Sequence, residues 1–113
     1  MRYAFDLDGT LDVPEIAGLA NALHAAGHEV YVVTGAVTDT GEWTMEARIE
    51  KCARLGVKYT KIIRCFGDSL DAIGAKKAQA LKELGAALMF EDSIPFAQHT
   101  VQACPTLLVV PRG

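Results

Sequence analysis

With 113 residues, half of them apolar, the chain suits one compact domain over residues 1–113 and excludes both a disordered protein and a membrane-spanning segment. Its formal net charge of −3 comes without a run of Lys and Arg, so nucleic acid is not indicated as a partner. Three widely spaced cysteines predict reduced thiols, and because no apolar leader is visible we expect a cytoplasmic protein with no membrane partner.

The first predicted unit is a strand, a loop and a helix. A short apolar run predicts a strand over residues 2–7, and a loop over residues 8–13 follows it. Pro14 suits the first turn of a helix, which we expect to end near Gly27. The apolar stripe of this helix consists of Ile16, Leu19, Ala20 and Leu23.

The second unit repeats this order. A β-branched run over residues 30–33 predicts a strand buried on both faces, which stops at a small polar turn, Thr34-Gly35. From residue 40 the pattern is helical as far as Gly56. Its apolar side carries Met45, Ile49, Cys52 and Leu55. Its charged residues are expected on a solvated face: Glu46, Arg48, Glu50, Lys51 and Arg54.

The second half of the chain continues the alternation. The remaining strands are predicted over residues 59–65, 86–90 and 106–110. A turn is predicted at residues 66–69, after the first of these strands, and residues 71–75 have no clear pattern. One helix is predicted from Lys76 or Lys77 to Gly85, and another begins at Pro95. This order predicts an α/β protein with a three-layer α/β/α, Rossmann-like fold and a mostly parallel sheet of about five strands.

Acidic and small polar residues follow three of the predicted strands. Asp6 and Asp8 follow the first strand and point to one side of an extended segment, Thr34-Gly35 follows the second, and Glu91-Asp92 follows the fourth. The carboxyl ends of parallel strands lie along one edge of a sheet, so these residues are expected to converge. Clustered carboxylates suit Mg²⁺, and a hydroxyl, backbone N–H groups and a Lys suit a phosphoryl group. The pattern predicts a site for phosphate on magnesium.

Four motifs in this order resemble those of the haloacid dehalogenase superfamily of phosphotransferases. They are Asp6-Leu7-Asp8-Gly9-Thr10, Thr34-Gly35, a Lys in the helix before the fourth strand, and the acidic pair after that strand. The resemblance covers roughly residues 2–110, and an ordered set is more specific than any single motif.

The resemblance implies a Mg²⁺-dependent phosphatase that hydrolyses a phosphomonoester. Asp6 has the position of the nucleophile that forms an aspartyl phosphate, and Asp8 that of the general acid and base. The implied ligands of Mg²⁺ are the carboxylates of Asp6 and Asp92 and the backbone carbonyl of Asp8, with Glu91 nearby or bound through water.

The same resemblance assigns the phosphoryl group to three residues. The Thr34 hydroxyl and the Gly35 amide would hold its oxygens, and a Lys would offset charge in the transition state. Lys77 is preferred to Lys76 because the sequence from Lys77 onward looks like the third motif of the family.

The chain departs from the family pattern in two ways. In the family, another acid or an Asn commonly follows the acidic pair, but here only Gln98 and His99 follow it. Either Glu91 takes the place of that acid, or the site binds metal more weakly. His99 has no assigned role. The intervals between motifs also leave no room for a cap domain. An open site of this kind suits a large phosphorylated substrate, such as a polymer end or a phosphoprotein, or a lid supplied by a homo-oligomer.

Other interpretations stay open. The enzyme could be specific for a nucleotide or a nucleic-acid end, or the chain could be a non-catalytic relative that binds phosphate or metal. A phospho-acceptor receiver domain is disfavoured because no Asp ends the third strand. The Asp-x-Asp-Gly-Thr string could also be a simple turn, and Glu91-Asp92-Ser93 could simply cap the next helix.

Overall fold

A computed structural model describes residues 1–110 of the chain. The strands are β1 (Arg2–Phe5), β2 (Glu29–Ala36), β3 (Lys61–Phe66), β4 (Leu88–Glu91) and β5 (Thr106–Leu108). The helices are α1 (Pro14–Ala25), α2 (Met45–Arg54), α3 (Leu70–Leu84) and α4 (Ile94–Thr100). The predicted α/β class is confirmed. Residues 111–113, the end of the predicted domain over 1–113, lie outside the described residues.

The five strands form one sheet in the order β3-β2-β1-β4-β5, and all four strand pairings are parallel. The central strand β1 therefore has β2 on one side and β4 on the other. At its carboxyl end, Phe5 is paired with Val32 of β2 and Phe90 of β4. This register brings the residues that follow β1 and β4 next to each other.

Helices cover both faces of the sheet, because successive side chains of a strand point to opposite faces. Phe5 of β1 packs into a core with α1 and α2, where its ring stacks on Phe90 with the centroids 4.4 Å apart. Ala4 points the other way, into a core that includes Ile73 and Leu81 of α3. Strand β1, whose last two residues are fully buried, thus lies between two apolar layers, which confirms the Rossmann-like arrangement.

The start of α3 differs from the prediction. The helix begins at Leu70, so residues 71–75 are helical and neither Lys76 nor Lys77 begins it. Ser69 explains the earlier start, because its hydroxyl accepts a hydrogen bond from the Ala72 amide at 3.0 Å and caps the helix.

The second strand is longer than predicted. Thr34 and Gly35 lie within β2 and not in a turn, because their neighbours on β3, Arg64 and Cys65, continue the ladder beyond the end of β1. The last strand is shorter than predicted and ends at Leu108.

Two predicted stripe residues are on the surface. Leu19 of α1 is 39% exposed and Ile49 of α2 is 46% exposed. In α1, the fully buried positions are those of Ala17 and Ala20, which allow the helix to approach the sheet closely.

Candidate functional site

Residues from three strand ends line one cavity of about 240 Å³. Asp6 follows β1, Thr34 and Gly35 lie near the end of β2, and Asp92 follows β4. Asp8 lines the same cavity. The parallel topology and the register of β1 against β4 account for this convergence.

Asp6 is the most deeply placed acid in this cavity, with 5% of its surface exposed. Its Oδ1 accepts a hydrogen bond from Lys77 Nζ at 2.8 Å, and its Oδ2 has a long contact of 3.4 Å with the Thr10 hydroxyl. Burial raises the pKa of Asp6 to about 6, although the charge of Lys77 works in the opposite direction.

Lys77 joins two buried acids. Its Nζ lies 2.8 Å from Asp6 Oδ1 and 2.8 Å from Glu91 Oε1, and its side chain is fully buried. Burial disfavours the charged ammonium group, but the charges of Asp6 and Glu91 outweigh it, so the pKa of Lys77 is raised. The neighbouring Lys76 is exposed. Because successive helical residues point in different directions, only Lys77 of the two reaches Asp6.

Asp6, Glu91 and Asp92 have carboxylate oxygens within 4.8 Å of one another. Burial, together with the hydrogen bond and charge of Asp6, raises the pKa of Asp92 to about 6. Two carboxylates held this close repel each other unless a proton or a cation lies between them. Their hard oxygen donors are those that Mg²⁺ prefers, so Asp6 and Asp92 fit a magnesium ion.

Glu91 already uses both of its oxygens. Oε1 accepts from Lys77, and Oε2 accepts from the backbone amides of Asp92 and Ser93 at 3.0 and 3.3 Å. The side chain is fully buried. Glu91 thus holds Lys77 and the turn after β4 in place, and most of its acceptor capacity is already used within the protein.

Gly9 makes room for the Asp92 carboxylate. Its φ of 78° is in the left-handed region that favours glycine, and a Cβ at this position would collide with the Asp92 carboxylate. Gly9 lies in a wide turn, Leu7–Leu11, where its amide donates to Asp12 Oδ2 at 2.7 Å. The Asp92 carboxylate therefore occupies the space that a side chain at position 9 would fill.

Thr34 and Gly35 form the β2 side of the cavity. Thr34 is 1% exposed, and within residues 1–110 its hydroxyl makes no hydrogen bond to the protein, although it lines the cavity and is not one of the fully buried polar atoms. A Cβ at Gly35 would lie 2.8 Å from Ile73 Cγ2, so glycine is needed for the close approach of β2 and α3. The pairing of β2 with β1 ends at Val32, which leaves Thr34 and Gly35 beside the residues that follow β1.

Asp8 has partners that the sequence did not reveal. Its carboxylate accepts from Arg48 Nη1 at 2.9 Å and from Lys51 Nζ at 2.6 Å. Burial alone would raise the pKa of Asp8, but the hydrogen bonds and charges of Lys51 and Arg48 outweigh it and lower the pKa below its ordinary value. Asp8 is therefore an ionised, paired carboxylate in this structure.

The prediction that Arg48 and Lys51 belong to a solvated face is wrong. Arg48 is 3% exposed, and besides Asp8 it binds the Glu42 carbonyl through Nε at 2.7 Å. Lys51 bridges Asp8 and Asp12. The two cations are three residues apart, so one face of α2 presents both to the turn after β1. That spacing was visible in the sequence, but the position of the helix was not.

His99 lies outside the cavity. Its Nε2 is 2.8 Å from Asp71 Oδ1, and the ring packs against Gly74, so it bridges α3 and α4 at the surface.

No helix within residues 1–110 is both long enough and apolar enough to cross a membrane.

Comparison with known proteins supports the fold alone. The chain matches no protein family model and no curated protein. It is similar to the structure of a protein assigned as a UDP-N-acetylglucosamine 2-epimerase from Listeria monocytogenes, with a TM-score of 0.57 and 14% identity. The similarity covers 90% of this chain but only 28% of that one.

A second similar structure is that of a protein of the universal stress protein family from Burkholderia pseudomallei. The TM-score is 0.52, the identity is 17%, and the match covers 96% of this chain and 94% of that one. Both likenesses are consistent with the α/β architecture. Neither carries an activity over to this chain.

Proposed function

We propose that the chain is a Mg²⁺-dependent phosphatase that hydrolyses a phosphomonoester through an aspartyl phosphate on Asp6. The observation that carries the proposal is that Asp6 and Asp92 share one cavity with the Thr34 hydroxyl, which has no protein partner among the described residues, while the buried Lys77 ammonium lies 2.8 Å from Asp6 Oδ1. The resemblance of the four motifs to the haloacid dehalogenase superfamily gives each of these residues a role.

Asp6 and Asp92 would hold the metal, and Asp8 would add its backbone carbonyl. When bound, Mg²⁺ supplies positive charge that reduces the repulsion between the Asp6 carboxylate and a phosphate group. The raised pKa of both Asp6 and Asp92 supports this assignment. It means that the positive charge of nearby protein groups does not offset the cost of burying the two ionised carboxylates, so a bound cation would stabilise them.

In the first step, a carboxylate oxygen of Asp6 forms a bond to phosphorus while the bond from phosphorus to the leaving oxygen breaks. Asp8 gives a proton to that oxygen. Lys77 and the Thr34 hydroxyl stabilise the charge on the phosphoryl oxygens. The leaving group departs as an alcohol, and Asp6 carries the phosphoryl group.

In the second step, water attacks the phosphorus of the aspartyl phosphate and Asp8 accepts its proton, which releases phosphate and restores Asp6. The pairing of Asp8 with Arg48 and Lys51 favours this second step, because it keeps the carboxylate ionised and oriented. The proton that Asp8 takes from this water is the one that it gives to the leaving oxygen in the next turnover, so the two steps together balance.

A phosphate-release screen tests the proposal. The protein with Mg²⁺ is incubated with a broad panel of phosphomonoesters, alongside Asp6→Asn and the control Asp68→Asn, which changes an exposed acid outside the cavity. We expect release by the wild type and the control, and a loss of about 10³-fold or more in Asp6→Asn because the nucleophile is gone. A wild type that binds Mg²⁺ but releases no phosphate from the panel would contradict the proposal.

A further inference from the structure

The cavity has a polar floor and apolar walls. The floor consists of the acids and the β2 residues described above. The walls are formed by six residues from four different segments of the chain: Ala36, Val37, Trp43, Leu70, Ile73 and Phe96. Apart from the indole N–H of Trp43, their side chains offer no hydrogen-bonding group.

Trp43 is held in place from three directions. Its carbonyl accepts from Arg64 Nη1 at 3.1 Å, its amide donates to the Thr40 carbonyl at 3.1 Å, and the Arg48 guanidinium lies 5.7 Å from the ring centroid. A fixed ring loses little conformational freedom when a ligand packs against it. The backbone of Trp43 is thus fixed by two hydrogen bonds, and its ring lies beside Arg48 at the wall of the cavity.

Phe96 and Ile73 line the cavity from α4 and α3. The Phe96 ring lies 4.4 Å from Lys77 Nζ, so the apolar wall begins directly beside the charged floor. Ile73 is held against Gly35 by the close approach of β2 and α3. A group attached to a phosphate on the floor would contact these side chains.

Two apolar side chains at the cavity lie in water when the site is empty. Val37 is 55% exposed and Leu70 is 57% exposed, although both line the cavity. Covering them with an apolar group is favourable, whereas a polar group would lose hydrogen bonds to water and find few replacements.

The cavity is small for an elaborate ligand. Its volume of about 240 Å³ is below the range of roughly 300–1,000 Å³ for sites of drug-sized molecules. A dry apolar cavity of about 150 Å³ accepts one benzene molecule. The space therefore suits a phosphoryl group with one ring-sized substituent, which is a smaller substrate than the large one expected from the missing cap domain.

We propose that the site selects a phosphomonoester whose leaving group is apolar and about the size of a single ring, with Trp43 and Val37 as determinants of this selectivity. The inference rests on the proposed function for the phosphoryl group of the substrate, and on the six wall residues for the apolar leaving group.

Binding of two phosphonates tests the inference without requiring hydrolysis. Benzylphosphonate and 2-hydroxyethylphosphonate carry the same charged end, and calorimetry with Mg²⁺ gives the affinity of each. We expect benzylphosphonate to bind about 10-fold more tightly or better, as burial of a ring-sized apolar group provides. Equal affinities, or tighter binding of the hydroxyethyl compound, would overturn the inference.

Matched valine variants locate the effect. Val37→Ser changes an exposed valine at the cavity, and Val101→Ser changes a valine with 58% exposure that does not line it. We expect the first to reduce the preference for benzylphosphonate about threefold and the second to leave it within about twofold. Trp43→Ala should reduce the preference further. A preference that survives both Val37→Ser and Trp43→Ala would place the selectivity elsewhere and overturn the assignment.

Failure of the selectivity and failure of the phosphatase activity give different results. Release of phosphate from benzyl phosphate and glycerol phosphate at equal kcat/KM would keep the phosphatase and overturn the selectivity. Selective binding of benzylphosphonate without phosphate release from any ester would support the apolar site and contradict the phosphatase.

Discussion

Gly9 lies between Asp8 and Thr10 in the first motif, and it fits there for two independent reasons. Its φ of 78° is strained for any residue with a side chain, and its Cα faces the Asp92 carboxylate closely enough that a Cβ would collide with it. The sequence indicated a turn at this glycine. The contact with Asp92 depends on the pairing of β1 with β4, which only the structure provides.

Gly9→Ala should therefore damage the site beyond its effect on the backbone. The control is Gly56→Ala, where φ is 69° and nothing lies within 4 Å of the added Cβ. We expect both variants to lose roughly 1–2 kcal/mol of unfolding free energy from backbone strain, measured in urea. Only Gly9→Ala should also lose Mg²⁺ affinity, by about 10-fold or more as measured by calorimetry, because Asp92 must move. Equal Mg²⁺ affinity in the two variants would contradict the role of Gly9.

At the scale of elements, α2 shows the limit of helical periodicity. The pattern predicts which residues share a face of a helix, but not which surface that face meets. Arg48 and Lys51 were assigned to solvent because charged residues usually are, yet the loop before α2 turns them toward Asp8. The start of α3 was missed because its first turns lack a clear apolar stripe, although the Ser69 cap was present in the sequence.

Arg48→Met tests whether α2 is attached to the site. The substitution removes the hydrogen bonds to Asp8 and to the Glu42 carbonyl, while the apolar stem keeps much of the packing. We expect a loss of about 1–3 kcal/mol in the free energy of unfolding by urea. The control Arg54→Met, at an exposed position of the same helix, should stay within about 0.5 kcal/mol of the wild type. Equal stabilities of the two variants would contradict the described contacts.

For the whole molecule, the alternation of strands and helices was enough to predict the parallel sheet and the shared edge at which its carboxyl ends meet. The prediction that Asp6, Asp8, Thr34, Gly35 and Asp92 converge followed from that topology, and the structure places all five at one cavity. The walls could not be predicted, because Trp43, Leu70 and Phe96 come from segments whose relative positions depend on tertiary packing.

The buried acids couple the stability of the whole molecule to pH. The pKa values of Asp6 and Asp92 are raised from 3.8 to about 6 in the folded protein without metal. Their favourable contribution to folding is thus complete below the unfolded pKa and is lost as the pH rises through about 6. Above that pH both acids are ionised, which is the state that the proposed Mg²⁺ site requires.

Mg²⁺ should therefore stabilise the protein mainly above pH 6. At about 100 times its Kd it contributes roughly 2.7 kcal/mol, or on the order of 10 °C in Tm. Thermal unfolding with and without Mg²⁺ at about pH 7.5 should show this rise, and at about pH 5 proton competition should reduce it to less than about half. Asp92→Asn should remove most of the effect. A rise that is equal at both pH values would contradict a carboxylate site for the metal.

In the proposed mechanism, Asp6 carries the phosphoryl group during turnover. Sodium borohydride reduces an acyl phosphate to an alcohol, so treatment of the working enzyme would convert a phosphorylated Asp6 into homoserine. Peptide mass spectrometry after incubation with Mg²⁺ and the best phosphomonoester of the panel should find homoserine at position 6, not at position 8, and not without substrate. Continued release of phosphate with an unmodified Asp6, or with the Asp6→Asn variant, would contradict the covalent mechanism.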